Sequence, residues 1–404
     1  MARGARPRPI LGQAPSPYPM WESSHLTDAE RIGQLLFIGI PGHALTEETI
    51  SFLHEVRPGG IILFQRNIVS RDQLQRLCRR LMGLLPIPPF LAIDQEGGRV
   101  NRLQPILSAQ PSGYDLAEFG DARLVEKYAR GIGDCLRLLG LHMNFAPVLD
   151  LSGRDAPNGI GDRSFGTDPE RVGVLGEAFL LALKRSRILG TMKHFPGLGG
   201  AVIDSHLELP EIRKGHRKLR EEDLHPFRRL APIAPVAMMS HAWYPSLSGK
   251  EPLPASLSPH IVQDLLLGEL KFPGLVLTDD LEMGSIDPRP GLGEVAVRAV
   301  AAGNDMVLVC RSKRLIRAAA RGLLDAGRRG SLSQDRMDRS LGKILSLKRR
   351  FLQGRAEDSS ARSFHRAASE VARVRDRIEA ARSEALRGRG QGASRPVRTR
   401  KISR

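Results

Sequence analysis

Cysteine is scarce: three residues in 404, Cys78, Cys135 and Cys310, far apart and in apolar surroundings. An odd count without ligand spacing excludes a disulfide framework and a thiolate metal knot, so all three read as reduced core residues. No stretch approaches the roughly 20 consecutive apolar residues that a membrane helix needs, so no membrane span is expected. Residues 1–20 are rich in Arg and Pro but have no apolar core before a small-residue cleavage site. This argues against a secretory signal and makes the cytoplasm the expected compartment. No GxGxxG follows the first apolar run, which removes the dinucleotide fingerprint of an open doubly wound sheet. No RNP, zinc-finger or helix-turn-helix pattern supports a specific nucleic-acid partner.

The apolar content, 41% of the chain, is ample for one large core. It falls in eight short runs: Leu35 to Ile40, Gly60 to Phe64, Phe90 to Ile93, Met143 to Leu149, Ile188 to Met192, Val236 to Met239, Leu275 to Leu277 and Met306 to Val309. Between them lie segments with apolar positions at helical spacing, such as Arg71 to Leu85, Pro169 to Arg185 and His260 to Leu270. Eight strand-plus-helix units predict an α/β fold, a (β/α)8 TIM barrel, which forms from about 250 residues in a single domain. The expected organisation is a disordered leader over 1–25, one catalytic barrel over 26–352 and a basic tail over 353–404, disordered or partly helical. The formal net charge is +17, and residues 355–404 hold 14 Lys/Arg against 6 Asp/Glu. That tail reads as a solvated extension, with contact to nucleic acid or anionic lipid as the alternative.

A barrel keeps its chemistry at the C-terminal ends of its strands. The third run ends in Asp94-Gln95-Glu96-Gly97-Gly98-Arg99, the fourth in Asp150, the fifth in Lys193-His194, the sixth in Ser240-His241 and the seventh in Thr278-Asp279-Asp280. Any one of these could be a helix cap or a surface charge; five at one face point to a site. The densest stretch is Lys193-His194-Phe195-Pro196-Gly197-Leu198-Gly199-Gly200, closely followed by Asp204-Ser205-His206.

Four separated stretches carry a resemblance: Ile93 to Arg102, Asp162-Arg163-Ser164-Phe165-Gly166, Lys193 to His206, and Val276 to Met283. They resemble glycoside hydrolase family 3, in its single-domain β-N-acetylhexosaminidase branch, over roughly residues 26–350. The resemblance implies retaining hydrolysis of terminal β-linked N-acetylglucosamine, with a muropeptide as the small carbohydrate partner. It further implies Asp279 as nucleophile, or Asp280 if the register shifts by one, and His206 as general acid/base oriented by Asp204. Asp94, Arg102, Arg163, Lys193 and His194 match the family's sugar-binding positions. Glu96 and His241 stand at the rim without an assigned role. No metal or organic cofactor is implied, and a monomer is favoured. One departure stands out: the family's loop carries a histidine where this chain has Leu198, so the loop's anchoring or leaving-group preference is expected to differ. Glycines 197, 199 and 200 predict a mobile loop that closes over substrate. Phosphorolysis of the same bond and a catalytically silent sugar-binding protein remain as alternatives.

Overall fold

The computed structural model describes residues 25–352 and 360–392. Eight parallel strands form a closed barrel: β1 (Leu36–Gly39), β2 (Gly60–Leu63), β3 (Phe90–Ile93), β4 (Met143–Asn144), β5 (Leu189–Phe195), β6 (Val236–Met239), β7 (Leu275–Asp280) and β8 (Met306–Val309). Neighbours pair in chain order, and β8 returns to β1 with Leu36 opposite Val307 and Phe37 opposite Leu308. The strands read as unbroken apolar runs because both of their faces are covered, one by the barrel interior and one by helices. The expected TIM barrel is therefore present, with every predicted run contributing its strand.

The outer helices follow from local sequence. Arg71–Met82 starts at Ser70, whose hydroxyl accepts from Gln73 N, and turns Leu74, Leu77, Cys78 and Leu81 inward. Pro169–Arg185 is capped by Asp168 and has Pro at its first position, where its missing N–H is no loss. The helix Gln334–Leu352 crosses the opposite pole of the barrel. There the fully buried Lys348 donates to Gln34 Oε1 at 2.6 Å beside the Phe90 ring, and burial pushes its ammonium pKa well down.

Three strands differ in extent from the sequence expectation. The fourth strand is only Met143–Asn144, because Pro147 has no N–H for a ladder; Val148 keeps one isolated bridge to Lys193. β5 and β7 run further than expected, so Lys193, His194, Asp279 and Asp280 are strand residues rather than residues beyond the ends. Ala361–Gly392 is a helix whose Phe364, Ala367, Val371, Val374 and Ile378 are buried at three- and four-residue spacing, packed on the helices Gly113–Phe119 and Ala122–Leu138. This stripe buries apolar area despite the surrounding arginines. The leader over 1–24 and residues 353–359 and 393–404 lie outside the described residues. No described helix is long and apolar enough to cross a membrane.

Candidate active site

The C-terminal ends of the strands surround a cavity of about 260 Å3. All eight residues expected at the site line it: Asp94, Arg102, Arg163, Lys193, His194, Asp204, His206 and Asp279. They come from four distant stretches, brought together by the barrel's closure.

Strand alternation sorts the two aspartates that end β7. Asp279 faces the cavity, whereas Asp280 turns away and accepts from the N–H groups of Glu282 (3.1 Å) and Cys310 (3.3 Å). Burial pushes the Asp280 carboxyl up to about 6. Burial also works against charge on Asp279. The His194 and His241 imidazoles and the Asp280 N–H at 2.8 Å outweigh it, so the Asp279 carboxyl lies below its ordinary range. The geometry thus favours the first carboxylate of the pair over its neighbour. His241, fully buried beneath them, contacts Ser256 Oγ at 2.8 Å and the Asp280 carbonyl at 3.2 Å.

A second buried group sits across the cavity. Lys193, 2% exposed, reaches Asp94 at 2.7 Å and Glu96 at 2.5 Å, and Glu96 also receives a two-pronged contact from Arg163 at 2.8 and 2.9 Å. Burial opposes the Glu96 charge, but Arg163 and Lys193 hold its carboxyl far below the usual carboxylate range. A flat guanidinium matched to a carboxylate fork fixes both partners in plane. Glu96 is therefore what aligns two cations that line the cavity.

The third part is open. His206 Nδ1 lies 2.7 Å from Asp204 Oδ1, and the same oxygen accepts from His206 N at 2.9 Å. The His206 side chain is 61% exposed, against 5% for His194. The loop is docked by Gly284 N donating to His206 O and by the close approach of Gly159 to the Asp204 carboxylate. A Cβ at Gly159 would stand 2.6 Å from Asp204 Cγ, and its φ of +73° also favours glycine. The Asn158-Gly159 pair is a turn signal visible in the sequence itself.

Leu198 anchors differently from the expectation. Its side chain is buried, 3% exposed, and its N–H donates to Asp150 Oδ1 at 2.6 Å. That backbone contact is available to any residue but proline, so the loop keeps an anchor without the family's histidine. The glycines here also have a packing cause. A Cβ at Gly199 would lie 1.9 Å from Leu151 O, and one at Gly197 would lie 2.8 Å from Asp223 Cβ.

Residues 27–347 match the Glycosyl hydrolase family 3 N terminal domain. The chain belongs to this family. A β-hexosaminidase of Pseudomonas aeruginosa is 38% identical over 282 residues, which is 69% of this chain and 82% of that relative. A β-hexosaminidase of Idiomarina loihiensis is 36% identical over 295 residues, 72% of this chain and 87% of the relative. Among solved structures, a family 3 β-N-acetylglucosaminidase from Paenibacillus superposes with a TM-score of 0.82 at 36% identity, covering 87% of this chain and 69% of that one. The helix Ala361–Gly392 lies beyond the segment that matches the family 3 domain.

Proposed function

We propose that this family 3 β-N-acetylhexosaminidase is an exo-acting, retaining β-N-acetylglucosaminidase that removes terminal N-acetylglucosamine from peptidoglycan fragments, anhydromuropeptides, during cell-wall recycling in the cytoplasm. The observation that carries the reading is the placement of a half-buried Asp279, its carboxyl held below its ordinary range, and an exposed Asp204–His206 pair around one cavity. A space of about 260 Å3 admits a single sugar unit, which fits removal from a chain end.

In this reading the sugar hydroxyls are held by Asp94, Lys193, Arg102, Arg163 and His194, whose rigid setting turns binding energy into alignment of the anomeric carbon. Asp279 attacks that carbon while His206 gives its Nε2 proton to the departing oxygen, leaving a glycosyl ester on Asp279. Asp204 holds Nδ1–H, fixes the tautomer and stabilises the imidazolium. Neutral His206 then removes a proton from water, which attacks the ester from the face the leaving group vacated, giving the β-anomer. His206 can exchange protons with solvent between the two steps because its side chain stands at the mouth.

Phosphate is a competing acceptor for the same intermediate. Lys193 and Arg163 are matched by Asp94 and Glu96, while Arg102 also lines the cavity and could meet a phosphate dianion, so the product formed decides between the two acceptors. Turnover of a chromogenic N-acetyl-β-glucosaminide in phosphate buffer, followed by NMR from the earliest times, tests the reading. Free sugar released first as the β-anomer is expected. Sugar 1-phosphate would replace hydrolysis by phosphorolysis, and the α-anomer released first would remove the double displacement.

A further inference from the structure

The residue Asp150, just beyond β4, is fully buried and is not part of the cavity lining. Among the described residues its one ion-pair partner is His194, with Asp150 Oδ2 2.6 Å from His194 Nδ1. Its other oxygen, Oδ1, accepts from two backbone N–H groups, Leu198 at 2.6 Å and His194 at 3.3 Å. A buried carboxylate is tolerated only when its lone pairs are satisfied, and here one short segment of chain, residues 194–198, supplies every donor. His194 Nε2, on the other side of the ring, lies 3.9 Å from Asp279 Oδ2. Leu198 opens the loop that continues to Asp204 and His206, and the loop's next residue, Gly199, rests directly on the backbone of Leu151, the neighbour of Asp150.

We propose that Asp150 is a positioning residue for both halves of the reaction: it orients His194 toward Asp279, and it fixes the start of the loop that carries His206. The inference rests on the hydrolase reading above. An ionised Asp150 places the proton of His194 on Nδ1, so that Nε2 faces the nucleophile. Held between Asp150 and Asp279, the His194 ring is the largest of the influences that lower the Asp279 carboxyl. The other charged or titratable groups around this pair are His241 under β7, Lys193 beside His194, Arg163 across the cavity, and Asp223 and Tyr244 behind the loop. None of them contacts both His194 and the loop backbone, as Asp150 does.

Two variants separate the two duties. Asp150→Asn keeps an oxygen for the Leu198 N–H but removes the charge; Asp150→Ala removes both. In Asp150→Asn, kcat/KM on a chromogenic N-acetyl-β-glucosaminide should fall by roughly 10- to 100-fold, the usual range for losing a group that orients a histidine. The acid limb of the pH profile, which reports ionisation of the free enzyme's nucleophile, should move up by about one unit as His194 loses the contact that holds it against Asp279. Asp150→Ala should show the same limb shift with a larger fall in kcat. Histidine ring 15N spectra of the substrate-free wild type supply a readout independent of turnover, and a proton on Nδ1 of His194 is expected. A fall in rate with the acid limb unmoved, wild-type rates in Asp150→Asn, or a proton on Nε2 alone would each overturn the proposal. If the wild type turns over no N-acetylglucosaminide, the hydrolase reading fails, while the ring spectra still decide the Asp150–His194 contact.

Discussion

The two groups proposed to act on one glycosidic bond sit in opposite settings. Asp279 is enclosed, fixed by the end of a barrel strand and faced by two imidazoles, while His206 is 61% exposed on a loop held by one carboxylate and a few backbone contacts. The difference follows from what each must do. A nucleophile needs to remain ionised and still, which rigid strands and buried cations provide. An acid/base must exchange protons with solvent and admit leaving groups of varied shape, which a loop at the mouth permits. Strands set the first group, and loop chemistry sets the second.

Removing the enclosed group should do the greatest harm. Asp279→Asn is expected to lower kcat by roughly 10^4-fold or more on every N-acetyl-β-glucosaminide, with circular dichroism unchanged. Removing the open group should depend on the substrate. His206→Ala should lose roughly 10^2- to 10^4-fold on alkyl glycosides, whose leaving oxygen needs a proton, and much less on activated aryl glycosides. Equal losses on both would erase the contrast between the two settings.

The enclosed side should also carry more stability. Glu96→Gln leaves Lys193 and Arg163 facing one fewer charge in a buried place, and chemical denaturation should show a loss of about 3 kcal/mol at pH 7. The folded-state pKa of Glu96 is lowered from its ordinary 4.5, so its contribution is complete above that value and lost as pH falls through the folded value. The deficit of Glu96→Gln should accordingly shrink at acid pH. The smallest catalytic effect belongs to the outer helix. Val371→Asp, at a site 1% exposed in the native chain, should cost about 2 kcal/mol of local stability, read by hydrogen exchange over 361–392, and leave kcat/KM within about twofold.

Much of this molecule was legible in its sequence because barrel strands buried on both faces appear as apolar runs. The chemistry then follows at fixed offsets. Lys193-His194 and Asp279-Asp280 could be placed at strand ends without any coordinates, although the sequence did not show that they are themselves strand residues. What escaped is what burial and distance decide. Asp150 and His194 are 44 positions apart, and nothing local marks Asp150 as the buried acceptor of three donors. Glu96 looked like a rim charge, because its partners Arg163 and Lys193 arrive only with chain closure. In the helix over 361–392, Phe364, Ala367, Val371, Val374 and Ile378 carry the period of a helix amid arginines, and which neighbours they pack on is set by distance along the chain. Leu198 drew the eye as a missing histidine, whereas the loop anchor turned out to be its backbone N–H.

The double displacement is tested most directly by trapping its intermediate. Incubation with a 5-fluoro N-acetyl-β-glucosaminyl fluoride, which slows the second step, followed by peptide mass spectrometry, should find one sugar attached to Asp279. A sugar on Asp280, or steady turnover of the reagent with no adduct on either carboxylate, would contradict the account.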